Sequence, residues 1–417
     1  MSDRARWQWR TLRRVFFVGP LLLAGLMLAH STMTISGHHA FFDFRGGMFN
    51  AGLALLHGIN PYHAQFLTHQ TAIMQAGGIA RGETPANAFS IPVYPAFANL
   101  LIVPLSLLPF ALAAGLYTVA GVAAMVGGIW LLGVRDWRCF ALSLISWPFL
   151  FGAYLGAIGP FLVLGVGAAW RWRERVFLPA LAIAAIVAAK IFPWPLGVWL
   201  LVTRRYKALA MTVVIGIVLT FGAWAVIGFQ GLAQYPQMLS DMTFLQQNRA
   251  VSIVGVLLIA GVPSGLATAA AIAVAAGILF AAWRLAGGLD GDRRAFGLVI
   301  LAALTATPIV WEHYMVLLFV PIAVVYPRFS RAWLIPLCTP LVTVGSAAII
   351  PLGSDKVPFS PDTLRVAIPW LLLEALTAFV VCTTPERRAA LRVRFRHPRL
   401  GVSRVAVSPS GSLETPA

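Results

Sequence analysis

The 417-residue sequence predicts an all-α polytopic membrane protein, and three observations carry that prediction. Hydrophobic residues make up 59% of the chain and charged residues 11%, against about 45–50% and about 25% in soluble domains. Long apolar runs are separated by short basic clusters, the pattern of spanning helices and their cytoplasmic connections. The formal net charge of +17 then reflects topology and does not call for a nucleic-acid partner, since no basic stripe with interleaved aromatics accompanies it. Soluble, disordered and disulfide-scaffold classes are excluded together. Cys139, Cys338 and Cys382 lie in or beside apolar runs without paired spacing, so they read as packing residues.

Arg4, Arg6, Arg10, Arg13 and Arg14 precede an apolar run from Val15 to Ile35, which is long enough to span and is followed by no small-residue cleavage site. It is expected to be a retained first helix leaving the cytoplasm, with residues 37–91 forming a large extracytoplasmic catalytic loop. Basic clusters recur at Arg135/Arg138, Arg171/Arg173/Arg175, Arg204/Arg205/Lys207, Arg284/Arg293/Arg294, Arg328/Arg331 and from Arg387 onward. Placing them all inside turns the segments between them into hairpins. Their outward tips are Gly156–Pro160, Lys190–Pro195, residues 229–250, Thr307–Tyr314 and residues 353–361. Within 92–133, Pro92, Pro95, Pro104 and Pro109 predict a broken or re-entrant piece. Segments 178–203 and 295–326 leave only short legs on either side of their tips.

The scheme gives about 12 crossings with both termini cytoplasmic, an integral membrane domain over 1–385, and a basic, disordered cytoplasmic tail over 386–417. It leaves Asp43, Glu83, Asp241, Glu312, Asp355 and Asp362 outside, balanced by Arg45, Arg81, Lys190, Arg249, Lys356 and Arg365. Glu374 falls within the last helix, and the whole basic excess lies on the inner side. No internal repeat is visible, which counts against a secondary transporter.

The chemistry-bearing candidates gather at the outer face. Asp43, flanked by Phe42 and Phe44, is either a partly desolvated general base or an interfacial carboxylate capping a helix or pairing with Arg45. Asn60-Pro61-Tyr62 follows a helix ending at Gly58 and reads first as a turn. His57, His63 and His69 recur at a spacing that does not share a helical face, so no metal is assigned. Lys190 interrupts an apolar stretch just before Pro193 and Pro195. It either faces a cavity and holds a phosphate or snorkels to the outer headgroups. Glu312 and His313 are adjacent, so they point in different directions and make no obvious acid/base pair. In the 229–250 loop, Gln246, Gln247 and Asn248 offer amides to hydroxyl groups and Arg249 a fork for phosphate.

The order of these features resembles glycosyltransferase family 87 (GT87). Asp43 is followed by Leu55-Leu56-His57-Gly58-Ile59-Asn60-Pro61-Tyr62. Then come Val93-Tyr94-Pro95, a Gly-rich hairpin tip at Gly156, a lysine before proline at Lys190, and Trp311-Glu312-His313-Tyr314. The resemblance spans roughly residues 15–385. It implies a GT-C fold and an inverting transferase that takes a hexose, mannose foremost, from a polyprenyl-phosphate sugar to a lipid or glycan hydroxyl. The reaction would occur on the outer face of the bacterial cytoplasmic membrane, without a cofactor or nucleic acid. By position, Asp43 resembles the catalytic base, Lys190 the lysine before proline and His313 the histidine of the later tip. Lys190 and Arg249 would hold the donor phosphate, and Arg45, Asn60, Tyr62, Tyr94, Asn248, Glu312 and His313 would contact sugar or acceptor. Two departures stand out: Ala157 follows Gly156 where the family carries Gly-Gln, and Tyr94-Pro95-Ala96 replaces Tyr-Pro-Pro. The competing class is a lipid or glycolipid flippase, which predicts polar residues along a whole membrane-crossing path.

Overall fold

The structure is a computed structural model, and it describes residues 41–63, 93–246, 250–288, 290–337 and 361–383. The expected first helix, residues 64–91 of the first loop, Asn248, Arg249, the 353–360 loop and the tail from 386 lie outside the described residues. Every regular element among those described is helical.

The first loop enters as a helical turn Phe42–Phe44, a π-helical turn Arg45–Phe49 and the helix α1 (Asn50–Leu56). Next come α2 (Ala96–Ser106) and α3 (Phe110–Leu131), then α4 (Trp137–Ile145), α5 (Trp147–Leu155) and α6 (Gly159–Arg171). They are followed by α7 (Phe177–Ala189), α8 (Leu196–Val202), α9 (Tyr206–Val226) and α10 (Tyr235–Gln246). The second half holds α11 (Ile253–Ile259), α12 (Ser264–Ala286) and α13 (Gly291–Ala306), a 3₁₀ helix Glu312–Leu318, α14 (Phe319–Val325), a second 3₁₀ helix Arg331–Leu337 and α15 (Pro361–Cys382).

Three of these, α3, α9 and α12, are long and apolar enough to cross a membrane, and α4 with α5 would make a fourth span bent by 54°. Their exposed residues are apolar: Val213, Val214, Ile217, Val218 and Phe221 on α9, and Leu266, Ile272, Val274 and Phe280 on α12. Faces of this kind are untenable in water and suit lipid, so the protein is membrane-embedded. Prolines shape the 92–133 stretch into two helices: α2, short and with Pro104 inside it, and α3, a full span that starts after Pro109.

Helices buried in lipid gain little from the hydrophobic effect, so close backbone approach decides which of them pair. Helices α3 and α6 meet at Gly128 and Gly167, where a Cβ on Gly128 would stand 2.7 Å from the Val163 backbone. Helix α13 is the core element. From Ala295 to Leu304 it is buried all round, against α12, α14 and α15. Glu374 of α15 lies 7% exposed and hydrogen-bonds to Thr305 of α13.

The molecule has two chemically distinct ends. At one, the basic clusters are tied together: the Asp292 carboxylate accepts from Arg173 (3.0 Å), Arg205 (2.8 and 3.0 Å) and the Trp199 indole (2.8 Å). Asp136, the N-cap of α4, holds Arg138 and accepts from the Phe329 amide at 3.1 Å. Asp292 at the start of α13 thus joins the Arg171–Arg175 and Arg204–Lys207 clusters, and Asp136 joins the Arg135/Arg138 cluster to the chain beside Arg328. At the other end lie Asp43, the Gly156 turn, Lys190 and Glu312–Tyr314. Helix α13, 16 residues long, runs from Asp292 toward this tip over about 24 Å.

Candidate active site

The first loop is pinned onto the end of α5. Gly156 closes that helix at φ 67°, and a Cβ there would sit 2.5 Å from Phe44 Cβ, so both conformation and space require glycine. The Phe41 amide donates to the Tyr154 carbonyl at 2.8 Å. Phe44 is fully buried and stacks on Tyr117 at 4.3 Å between ring centroids. Asp43, its neighbour, is thereby held with its side chain 21% exposed and Oδ2 3.6 Å from His313 Nε2.

Lys190 terminates α7 in an extended conformation, and Pro193 and Pro195 prevent the helix from resuming. Its ammonium lies 4.4 Å from the centre of the Tyr94 ring and 5.3 Å from that of Tyr314, within reach of a cation–π interaction. It also hydrogen-bonds to the Tyr314 hydroxyl, which accepts a further hydrogen bond from Tyr94. Lys190 therefore faces inward, and the snorkelling alternative does not describe it.

The 3₁₀ geometry of Glu312–Leu318 sorts the tip residues. With three residues per turn, neighbours diverge by about 120°. Glu312 accepts from the Trp147 indole of α5, His313 meets Asp43, and Tyr314 meets Lys190 and packs on Phe192 at 5.3 Å. The Trp147 and Phe151 rings stack at 5.4 Å and 6°. His313 is 2% exposed, and neither ring nitrogen has a hydrogen-bond partner. The 3.6 Å separation from Asp43 is too long for a good hydrogen bond, so both nitrogens are buried with their hydrogen-bonding capacity unused.

Burial dominates the electrostatics. It pushes the Asp43 carboxyl up to about 6, with Lys190 pulling the other way. Burial, aided by the Lys190 charge, pushes His313 down to about 3. At neutral pH the site holds a carboxylate more basic than a surface one, a neutral imidazole and an ammonium. Glu312 is also raised by burial, partly offset by the Trp147 hydrogen bond.

The other expected site residues fall elsewhere. Asn60 donates to the Ile227 (3.2 Å) and Gln230 (3.1 Å) carbonyls while its Oδ1 accepts from the Tyr62 amide at 2.8 Å. Tyr62, with no exposed surface, donates to the Tyr94 carbonyl and accepts from Asn99, both at 2.5 Å. Half-buried Asn60 and buried Tyr62 are hydrogen-bonded within the protein, and they fasten the first loop and Tyr94 to α9 and α10. Arg45 is exposed and stacks over Phe110 at 4.8 Å. Glu312 is spent on Trp147. Asn248 and Arg249 lie outside the described residues.

Tyr314 and Tyr117 belong to the site and were not singled out from sequence. Tyr314 is signalled only by its place in the Trp-Glu-His-Tyr tip, and Tyr117 sits in an apolar helix. Its hydroxyl is buried without a partner and feels the Asp43 charge. Among the described residues no group of three His, Cys, Asp or Glu is placed to hold a metal ion.

A membrane-embedded helical fold that gathers a desolvated carboxylate, an ammonium and a neutral imidazole at one end has the make-up of a membrane enzyme. Residues 93–310 match the model of glycosyltransferase family 87, more than half of the chain, and the protein belongs to that family. It is therefore a glycosyltransferase. The matched stretch contains Tyr94 and Lys190, with Asp43 before it and His313 just after. Among curated relatives, the chain is similar to the polyprenol-phosphate-mannose-dependent alpha-(1-2)-phosphatidylinositol pentamannoside mannosyltransferase of Mycolicibacterium smegmatis, 26% identical over 71% of this chain and 75% of the relative. The enzyme of the same description from Mycobacterium tuberculosis is 27% identical over 74% of each. No solved structure matches.

Proposed function

We propose that the chain is an inverting transferase that moves a hexose, mannose foremost, from a polyprenyl-phosphate sugar to a hydroxyl of a lipid or glycan acceptor. The reaction takes place at the outer face of the cytoplasmic membrane, within a GT-C fold of about 12 crossings. The observation that carries this reading is the meeting of Asp43, Lys190 and His313, from three distant parts of the sequence, at one end of the molecule.

A polyprenyl phosphate is a good leaving group, so the protein has two tasks: to activate the attacking hydroxyl and to stabilise the departing charge. Asp43 accepts the hydroxyl proton as the acceptor oxygen bonds to the anomeric carbon. The bond from that carbon to the phosphate oxygen breaks, and Lys190 receives the developing phosphate charge, with Tyr314 beside it. Arg249 is a second candidate for that phosphate and Asn248 for the sugar. His313, neutral and unpartnered, donates to or accepts from a sugar hydroxyl. A double displacement would need a second free carboxylate beside the anomeric carbon. Glu312, the carboxylate of the same tip, is tied to Trp147, which supports a single, inverting step. Polar groups concentrated at one end favour this reading over a flippase.

The test is transfer of radiolabelled mannose from polyprenyl-phosphate mannose to total membrane lipid by membranes carrying the chain. Label should enter lipid with the wild type and not with Asp43→Asn. Equal labelling by the two would overturn the assignment.

A further inference from the structure

At the end opposite Asp43 a cleft of about 710 Å³ opens between the turn joining α8 to α9 and the end of α12. Its lining includes Thr203, Arg204, Arg205, Trp283, Arg284 and Asp292. The single acidic group in this set, Asp292, is already engaged by Arg205, Arg173 and Trp199. Arg204 and Arg284 are exposed, and neither has a carboxylate partner among the described residues.

The turn itself is unusual. Helix α8 ends with the Arg205 amide donating to the Leu200 carbonyl (2.8 Å) and the Arg204 amide to the Leu201 carbonyl (3.0 Å). That paired closure ordinarily puts glycine at the left-handed position. Here the position is Arg204, at φ 61°, a conformation that strains a residue with a Cβ. The sequence thus keeps a cation where backbone geometry favours glycine. Beside the cleft, Trp283 is 56% exposed, and Leu201, Tyr206 and Phe280 are also exposed, on the lipid-facing sides of their helices. An aromatic next to arginines at the end of a spanning helix marks the headgroup level.

We propose that Arg204 and Arg284, with Arg205 behind them, bind the phosphate group of an anionic membrane lipid. Its acyl chains lie over Leu201, Tyr206 and Phe280. A basic recess between membrane helices at the positively charged end is the kind of site that takes such headgroups. The apolar rim favours a lipid over free phosphate, because it offers acyl chains a surface. The site is separate from the transfer chemistry and does not rest on the reading of Asp43.

The test uses the full chain reconstituted in bilayers of equal parts phosphatidylcholine and phosphatidylglycerol, extracted in detergent and weighed intact by mass spectrometry to count retained lipid. The wild type should retain phosphatidylglycerol in preference to phosphatidylcholine. Arg204→Gly and Arg284→Gln should each lower that retention roughly five-fold, and Arg331→Gln, at the same end but away from the cleft, should leave it unchanged. Arg204→Gly also relaxes the turn, so its thermal unfolding should come no lower than wild type, which separates lost binding from lost folding. Wild-type retention by both cleft variants would overturn the site. Displacement of the lipid by millimolar inorganic phosphate would overturn its assignment to a lipid.

Discussion

His313 Nε2 stands 3.6 Å from Asp43 Oδ2, and neither nitrogen of that imidazole has a hydrogen-bond partner. A buried histidine beside a buried carboxylate ordinarily closes that gap and becomes a charged pair. Burial keeps the imidazole neutral, aided by the Lys190 charge, and that same charge stabilises the carboxylate against its own burial. The site is left with an anion and a neutral donor-acceptor whose hydrogen-bonding capacity is unused.

Asp43→Asn should therefore abolish transfer, by a factor of about 10² to 10⁴, while making the protein more resistant to heat. Burial raises this carboxyl from 3.8 to about 6, so folding favours its protonated form. The stabilisation is full below the ordinary pKa and lost as pH rises through about 6. At pH 7 the ionised group costs on the order of 2–3 kcal/mol that asparagine does not. Thermal melts at pH 7 and at a pH below 3.8 check this: the advantage of the variant should be present at the first and absent at the second.

The rate should fall on the acid side with an apparent pKa near 6, where Asp43 gains its proton. An ordinary histidine would give a similar limb, but His313 is already pushed down to about 3. In His313→Gln the limb should persist at lower turnover. Removing the cation with Lys190→Met should move it upward, since Lys190 holds Asp43 down. A pH–rate profile of each variant decides between carboxylate and imidazole, and a limb that vanishes in His313→Gln would assign it to the histidine.

Gly156→Ala places a Cβ at φ 67° against Phe44. The left-handed strain costs about 1–2 kcal/mol, and the contact forces the loop carrying Asp43 away from the tip. Turnover should drop more than ten-fold while the chain still inserts, as read by transfer assays on membranes matched for protein content.

Tyr62→Phe removes the donor to the Tyr94 carbonyl and the acceptor of Asn99 in one step. Leaving two buried groups unsatisfied should cost about 1–3 kcal/mol and lower the melting temperature. Asp43→Asn should shift it the opposite way, so the pair of melts separates a fastening tyrosine from a catalytic carboxylate.

Much of this was legible in the residues. Asp43 and Lys190 stand out because an ionisable group among apolar neighbours in a membrane protein needs a reason. The shared end of the basic clusters follows from the positive-inside rule and is met by the Asp292 network and the Asp136–Phe329 bond. The internal bonds of Asn60 and Tyr62 were not legible, because a polar motif near a candidate base looks the same whether it binds a ligand or closes a turn. Their partners, Ile227 and Tyr94, are far away in the chain. Tyr117 gave no signal at all, being one hydroxyl in an apolar helix.

The sequence by itself determined that the chain lives in a membrane and which charges are too costly to be incidental. Composition and periodicity decide these, because the bilayer acts on each segment independently. Tertiary structure alone decided the division of labour at the tip. A 3₁₀ turn sends Glu312 to Trp147, His313 to Asp43 and Tyr314 to Lys190. It also decided that Lys190 faces inward, since the direction of a side chain is set by what packs around it.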